Sequence, residues 1–155
     1  MYRSVMEKTI KLKQLEEFLE IPFRGRPLKA KVFYSELENG LLVYFIKRDE
    51  FYDRSMLYGT AEGDYFDNAD RFIFFCRAIL LLARMIDFQP DIIHSNEWQT
   101  GLLPAYLKAV HKDDPFFLQT RTVFTVHNLA YQGIFSKDYM TVSGLPAELF
   151  SMQGL

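Results

Sequence analysis

Two short stretches of this chain hold the residue types that chemistry needs. His127-Asn128-Leu129-Ala130-Tyr131-Gln132-Gly133 combines an imidazole, two amides, a phenol and a closing glycine. His94-Ser95-Asn96-Glu97-Trp98 combines an imidazole, a hydroxyl, an amide, a carboxylate and an indole. Imidazoles change charge near neutral pH, and amides both donate and accept hydrogen bonds. Such a set suits a polyhydroxylated or phosphorylated ligand. Each stretch follows an apolar run, Asp91-Ile92-Ile93 in one case and Val123-Phe124-Thr125-Val126 in the other. Runs of that kind read as buried strands. Two strands that end in the same chemistry predict one shared site.

The elements that must position these groups follow from the pattern around them. After Pro90 the order is strand (Asp91 to His94), helix (Asn96 to about His111) and strand (Arg121 to Val126). Asn96 is expected to cap the helix, with Gln99 completing a capping box, and Pro104 to kink it. The interval matches one βαβ unit, which makes the strands parallel. Both histidines then stand at the carboxyl ends of parallel strands, where open α/β sheets bind ligands. Upstream, a long helix starts at Asp67, a candidate N-cap with Asp70 in the first turn. Its apolar run from Phe72 to Phe88 is interrupted by Arg77 and Arg84, so it predicts a core helix rather than a membrane span. Asn39-Gly40 separates two strand-like runs, Lys29 to Leu37 and Leu41 to Ile46, and predicts a hairpin, because both turn residues tolerate positive φ. Residues 1–27 give no clear pattern. Phe51 to Tyr65 reads as a loop, and Gly144-Leu145-Pro146 opens a last short helix. The fold class expected is α/β: a Rossmann-like parallel sheet with an antiparallel hairpin near the N-terminus, in one domain over residues 1–155.

Composition bounds the function classes. At 155 residues, 49% hydrophobic and 25% charged, the chain has material for a real core. A net charge of −2 gives no general reason to expect a nucleic-acid or membrane partner, and neither is expected. The basic residues Arg3, Lys8, Lys11 and Lys13 are expected on a solvated face. The single cysteine, Cys76, sits in an apolar run and reads as a small core residue. No signal-peptide core opens the chain. The standard phosphate-cradling glycine loops are absent, and His94, His111 and His127 have no metal-ligand spacing. No metal and no cofactor is expected.

Each candidate residue has an alternative role. His94 and His127, with Asn96, Asn128 and Gln132, either hydrogen-bond a ligand or satisfy buried backbone groups. Glu97 either orients a sugar or pairs with an arginine, or it complements a helix N-terminus. Trp98 either offers its face to a sugar ring or packs. Tyr58, with Tyr52 near Asp53 and Arg54, either forms a saccharide-contacting rim or packs as a satellite cluster.

These residues together resemble a family. The stretch from Asp91-Ile-Ile-His-Ser-Asn-Glu-Trp to Lys108, followed by Thr122-Val-Phe-Thr-Val-His-Asn-Leu-Ala-Tyr-Gln-Gly133, resembles the N-terminal domain of bacterial glycogen synthases and plant starch synthases. Phe51-Tyr-Asp-Arg54, Leu57-Tyr-Gly59, Asp67-Asn68 with Arg71-Phe72, and Gly144-Leu-Pro146 support it. The resemblance runs from about residue 30 to the end. It implies a retaining glucosyltransferase of the two-domain GT-B architecture, which moves glucose from ADP-glucose to the non-reducing end of an α-1,4-glucan. His127 would then lie against the donor glucose near its 6-hydroxyl, and Tyr58 on the acceptor side.

Departures from the family pattern bear on this. Glu97 stands where Asp is usual, Gln99 where His is frequent, and Ser55-Met56 where Pro-Gly is frequent. The family's Lys-x-Gly-Gly loop, which meets the donor phosphates, is not among these residues, nor is the second domain with its Arg/Lys pair. The expectation is a part of the N-terminal catalytic domain, inactive by itself and needing the second domain for a complete cleft. Its expected location is the bacterial cytoplasm, or a plastid if the source is a plant. Two alternatives remain: a non-catalytic glucan-binding or partner-binding module, and another nucleotide-sugar transferase of the same architecture.

Overall fold

The computed structural model describes residues 11–151. They fall into two compact units divided between Arg71 and Phe72. Of the basic residues near the start, Arg3 and Lys8 lie outside the described residues.

In the first unit one long strand, β3 (Arg26–Glu36), pairs with all the others of its sheet. β1 (Lys13–Gln14) and β4 (Leu42–Lys47) both pair with Phe33 and Tyr34, so they flank β3 on opposite sides. β2 (Leu19–Phe23) runs antiparallel to the first half of β3, from Leu19↔Ala30 to Phe23↔Arg26. Leu19, Ile21 and Phe23 alternate inward and are buried, as are Ala30 and Val32. Arg24 and Gly25 close this hairpin with φ of 47° and 77°, the conformation of a tight two-residue turn. Pro22 faces Pro27. Prolines lose nothing at a pair that exchanges no hydrogen bonds, and such pairs alternate with bonded ones in an antiparallel ladder. An arginine at positive φ and two prolines in strands conceal this hairpin from pattern reading.

The hairpin at Asn39-Gly40 forms, with Glu36 opposite Leu42. Only Gly40 takes positive φ, at 80°. The Gly40 N–H donates to the Leu37 carbonyl at 2.8 Å and the Leu37 N–H to the Leu41 carbonyl at 2.9 Å, which closes the loop over Glu38, Asn39 and Gly40. Asn39 helps differently: its Oδ1 accepts from the Leu41 N–H at 3.2 Å.

The segment after β4 contains a short helix, α1 (Asp49–Tyr52), and a small ladder of β5 (Gly59–Thr60) with β6 (Gly63–Asp64). It is tied down by the start of helix α2 (Asn68–Met85). Arg71, only 3% exposed, donates to the carbonyls of Phe51 at 2.7 Å and Leu57 at 3.0 Å, and to Asn68 Oδ1 at 2.5 Å. Asn68 Nδ2 donates to the Tyr58 carbonyl at 2.7 Å. Asp67 does precede α2, and its carbonyl accepts from the Arg71 N–H. Its carboxylate, however, is not the expected cap: Oδ2 accepts from Arg54 at 2.6 Å. A guanidinium outcompetes a helix amide because both partners of that bond are charged.

The second unit is α/β. α2 lays Cys76, Leu80 and Ala83 against Leu103, Tyr106 and Leu107 of α3 (Leu102–Ala109), with Phe117 and Leu145 completing the core. Burial pushes the Cys76 thiol up to about 12, and it donates to the Gln99 carbonyl at 3.3 Å, so it is a core group as expected. The Tyr106 hydroxyl donates to the Ser143 carbonyl at 2.7 Å and so fixes the end of α4 (Tyr139–Ser143). Gly144 ends α4 at positive φ, and Pro146 stands just before a 3₁₀ turn at Ala147–Leu149.

β7 (Ile92–Asn96) and β8 (Arg121–Thr125) are parallel, as the βαβ spacing predicts. They are not buried runs. Ile93 packs on the core and Ser95 is 1% exposed, but Ile92, Val123, Phe124 and Val126 are exposed. Among the described residues these strands pair only with each other; β7 alternates between exposed and covered positions, whereas β8 is exposed on both faces from Arg121 to Phe124.

One surface cluster sets an acid limit on stability. Asp114 accepts from Arg84, from His111 Nδ1 at 3.1 Å and from the Phe116 N–H at 3.0 Å. The Arg84 hydrogen bond above all holds its carboxyl below the usual range. A depressed carboxylate contributes stability that is present above its unfolded value, about 3.9, and lost as pH falls through the folded one. Asp114→Asn should therefore flatten the fall in melting temperature below about pH 4. An equally steep acid limb in the variant would remove Asp114 from that role.

Candidate active site

Because β7 and β8 are parallel and paired as far as Asn96↔Thr125, their carboxyl ends emerge side by side. The Glu97 N–H extends the ladder by one step, donating to the Thr125 carbonyl at 2.9 Å. Glu97 itself has φ 64° and ψ 164°. That region is nearly reserved for glycine and costs another residue about 1–3 kcal/mol. The reversal brings the carboxylate to the segment after β8. Its Oε1 accepts from the His127 N–H at 2.6 Å and from the Asn128 N–H at 3.1 Å.

This turn also displaces the expected capping box. The chain enters a 3₁₀ turn at Trp98–Thr100 with Glu97 at the cap position and no side-chain cap. Thr100 Oγ1 donates instead to the carbonyls of Asn96 at 2.7 Å and Glu97 at 3.1 Å. Asn96, relieved of capping by the strained step that follows it, meets His127 Nε2 through Oδ1 at 3.2 Å. Pro104 does not fall in mid-helix as expected. It is the third residue of α3, in the first turn, where an amide has no intrahelical acceptor to lose.

The segment from His127 to Gly133 folds largely on its own polar groups. Asn128 Oδ1 accepts from the Ala130 N–H at 3.0 Å, and the Asn128 carbonyl from the Tyr131 N–H at 3.2 Å. Gln132 Nε2 donates to the Leu129 carbonyl at 3.0 Å. Gly133, at φ 62°, lies on the Trp98 indole so closely that a Cβ there would fall 2.2 Å from Cε3. Trp98 is held in turn by Phe72 and Phe135, with ring centroids 4.8 and 5.7 Å away.

The predicted residues therefore sort by what they touch. His127, Asn96, Glu97, Asn128, Gln132 and Trp98 come together in one constellation. His94 joins at the strand pair, with Nε2 2.7 Å from Thr125 Oγ1. Tyr58 belongs to the first unit, where its carbonyl is fixed by Asn68. Within the constellation Asn128 and Gln132 shape the loop and Trp98 floors it. His127 is exposed, and Glu97 Oε2 has no hydrogen-bond partner among the described residues. An imidazole and a carboxylate oxygen at the mouth of a parallel pair can together orient a hydroxylated ligand. Pattern reading missed the strain at Glu97 and the buried Arg71. The clue to the Trp98 contact was Gly133, since a glycine closing a polar loop often marks close approach.

Gly133→Ala should drive a methyl into a ring that two other aromatics already fix. A loss of about 1–3 kcal/mol in unfolding stability is expected. Because Trp98 is the only tryptophan, its emission should shift as well. Unchanged emission and unchanged stability would show that the indole is free to move aside.

Comparison with known proteins agrees with this geometry. The starch synthase catalytic domain family matches residues 1–155. The chain is 42% identical over 154 residues to glycogen synthase 2 of Geobacter sulfurreducens, covering 99% of this chain and 32% of that protein. It is 49% identical over 132 residues to the glycogen synthase of Elusimicrobium minutum, covering 85% of this chain and 27% of that protein. It thus spans between about a quarter and a third of the length of these relatives. Among solved structures it is similar to the catalytic domain of starch synthase IV from Arabidopsis thaliana bound to ADP and acarbose, with a TM-score of 0.78 and 30% identity over 92% of this chain and 28% of that one. The parallel strand ends, the loop between His127 and Gly133 and the match over the whole sequence have one meaning: this chain belongs to the starch synthase catalytic domain family.

Proposed function

We propose that this chain supplies the sugar-side wall of a glucosyl-transfer cleft. The whole protein would move glucose from ADP-glucose to the non-reducing end of an α-1,4-glucan with retention. The observation that carries the proposal is the exposed His127 imidazole, held at the carboxyl end of the parallel pair by Asn96 and by the Glu97 carboxylate on its own backbone. In transfer, the bond from the anomeric carbon to the diphosphate breaks with its electron pair on the leaving phosphate. The acceptor hydroxyl oxygen forms the new bond and gives up its proton to the leaving phosphate oxygen. Positive charge grows on the sugar meanwhile, and preorganised dipoles beside it stabilise that charge at little reorganisation cost. His127 would contact the 6-hydroxyl side of the donor glucose, with Asn96, Glu97 and Asn128 framing it; Tyr58 would serve the acceptor glucan. The names of the relatives and the ADP and acarbose bound by the structural neighbour support this assignment.

The reaction requires no cofactor beyond the nucleotide-sugar donor. Diphosphate-neutralising groups and the rest of the cleft would come from the second domain of the family. Among the described residues no helix is long and apolar enough to cross a membrane. On its likeness to bacterial glycogen synthases we assign the protein to the cytoplasm.

Titrating the isotope-labelled chain with ADP-glucose, and separately with maltoheptaose, tests the wall directly. Resonances of His127, Asn128 and Asn96 should move with ADP-glucose, and His127→Ala should abolish the effect. Absence of any shift, or binding indifferent to His127→Ala, would refute the assignment. Incubated with labelled ADP-glucose and glycogen, the 155-residue chain should transfer no label above a boiled control. Clear incorporation would mean that these residues already hold the full machinery.

A further inference from the structure

We infer that Glu97 is a positioning residue, whose carboxylate sets the backbone of the His127 loop rather than binding ligand through the oxygen that does so. Three observations converge. First, a single oxygen, Oε1, accepts both the His127 and the Asn128 N–H, at 2.6 and 3.1 Å. These are the first two amides of the polar loop, and no carbonyl of the parallel ladder receives them. Second, Glu97 reaches them only by adopting φ 64° and ψ 164°, a backbone state in which glycine would sit without strain. A residue there for the turn alone would be glycine; a strained glutamate marks a need for its side chain. Third, the next residue, Trp98, receives Gly133 at the far end of the same loop. Two adjacent residues thus hold the loop at both ends, Glu97 by charge at His127 and Trp98 by contact at Gly133.

His127 is thereby fixed through its main chain at Glu97 and through its ring at Asn96 Oδ1. Removing the carboxylate leaves only the ring contact, and the imidazole loses its defined place. That His127 faces a donor sugar rests on the proposed function; that Glu97 sets His127 does not.

Amide hydrogen exchange by NMR on the full 155-residue chain tests this without any activity. In Glu97→Ala the His127 and Asn128 amides should exchange about tenfold faster or more, the factor expected from losing a hydrogen bond to a charged group. Amides of the β7–β8 ladder, such as that of Arg121, should keep their rates. Glu97→Gln retains an acceptor at the same reach and should give a smaller acceleration. Glu97→Gly separates the turn from the clamp: the unfolding midpoint should fall less than in Glu97→Ala, because the strain leaves with the side chain, while the two amides lose protection and the His127 ring resonances shift. Unchanged protection at those amides in Glu97→Ala or Glu97→Gly would overturn the inference. So would a uniform loss across the ladder in Glu97→Gln, which would make Glu97 a general stabiliser. If ADP-glucose fails to bind yet these amides respond as stated, the positioning role stands and the proposed function falls.

Discussion

The parallel register of β7 and β8 is the constraint on which the site depends. Pairing from Ile92↔Arg121 to Asn96↔Thr125 brings both strands to an end at the same level. Asn96, Glu97, His127 and Asn128 therefore converge although about thirty positions separate them in sequence. A one-residue slip would invert the faces of a strand, sending Ser95 outward and His94 into the core. The core prevents it, because Ile93 packs on the helices and Ser95 is buried beside it. Hydrophobic packing on one face thus fixes the position of polar groups at the strand ends.

Magnitudes decide why a glutamate can occupy position 97. The backbone there costs about 1–3 kcal/mol. Each hydrogen bond to a charged group returns about 1.5–3 kcal/mol net when sheltered, and less when solvent competes. Glu97 is half-buried and accepts two such bonds, so the strain is offset with a modest surplus. A single bond would leave the balance near zero. Convergence of both amides on Oε1 is therefore what makes the strained conformation stable, and it ties the turn after β7 to the loop after β8 as one unit.

Much of this arrangement was legible in the sequence. The strand–helix–strand order after Pro90, the parallel pairing and the hairpin at Asn39-Gly40 each follow from local pattern, and each forms. Other features depend on partners that no local pattern reveals. The Arg24-Gly25 hairpin uses an arginine where asparagine or glycine is the usual signal. Asp67 and Asn96 have the right type and place for caps, but Arg54 and His127, distant in sequence, engage their side chains instead. The exposure of Val123 and Phe124 escapes pattern reading for a related reason: an apolar run says that a strand can be covered, not that the described residues cover it. At the site the residue types were visible, while the division of labour among them was not. Asn128 and Gln132 read as ligand contacts by type, and one atom of each amide, Asn128 Oδ1 and Gln132 Nε2, also holds the loop itself.

The two units solve the same physical problem with opposite charges. In the second, a carboxylate gathers backbone N–H groups that lie beyond the end of a strand. In the first, the guanidinium of Arg71 gathers the carbonyls of Phe51 and Leu57, and Asn68 takes that of Tyr58. Irregular backbone near protein must find partners for its polar groups, and a charged side chain can satisfy several at once. The settings differ in one respect. Arg71 is almost fully buried, and burial lowers its pKa, whereas Glu97 remains half in solvent. A buried cation surrounded by carbonyls cannot be removed without stranding them, so it fixes its loop rigidly. A partly exposed carboxylate holds its two amides while one oxygen stays open to solvent. The firmer clamp therefore belongs to the segment that carries Tyr58, and the more adjustable one to the segment that carries His127.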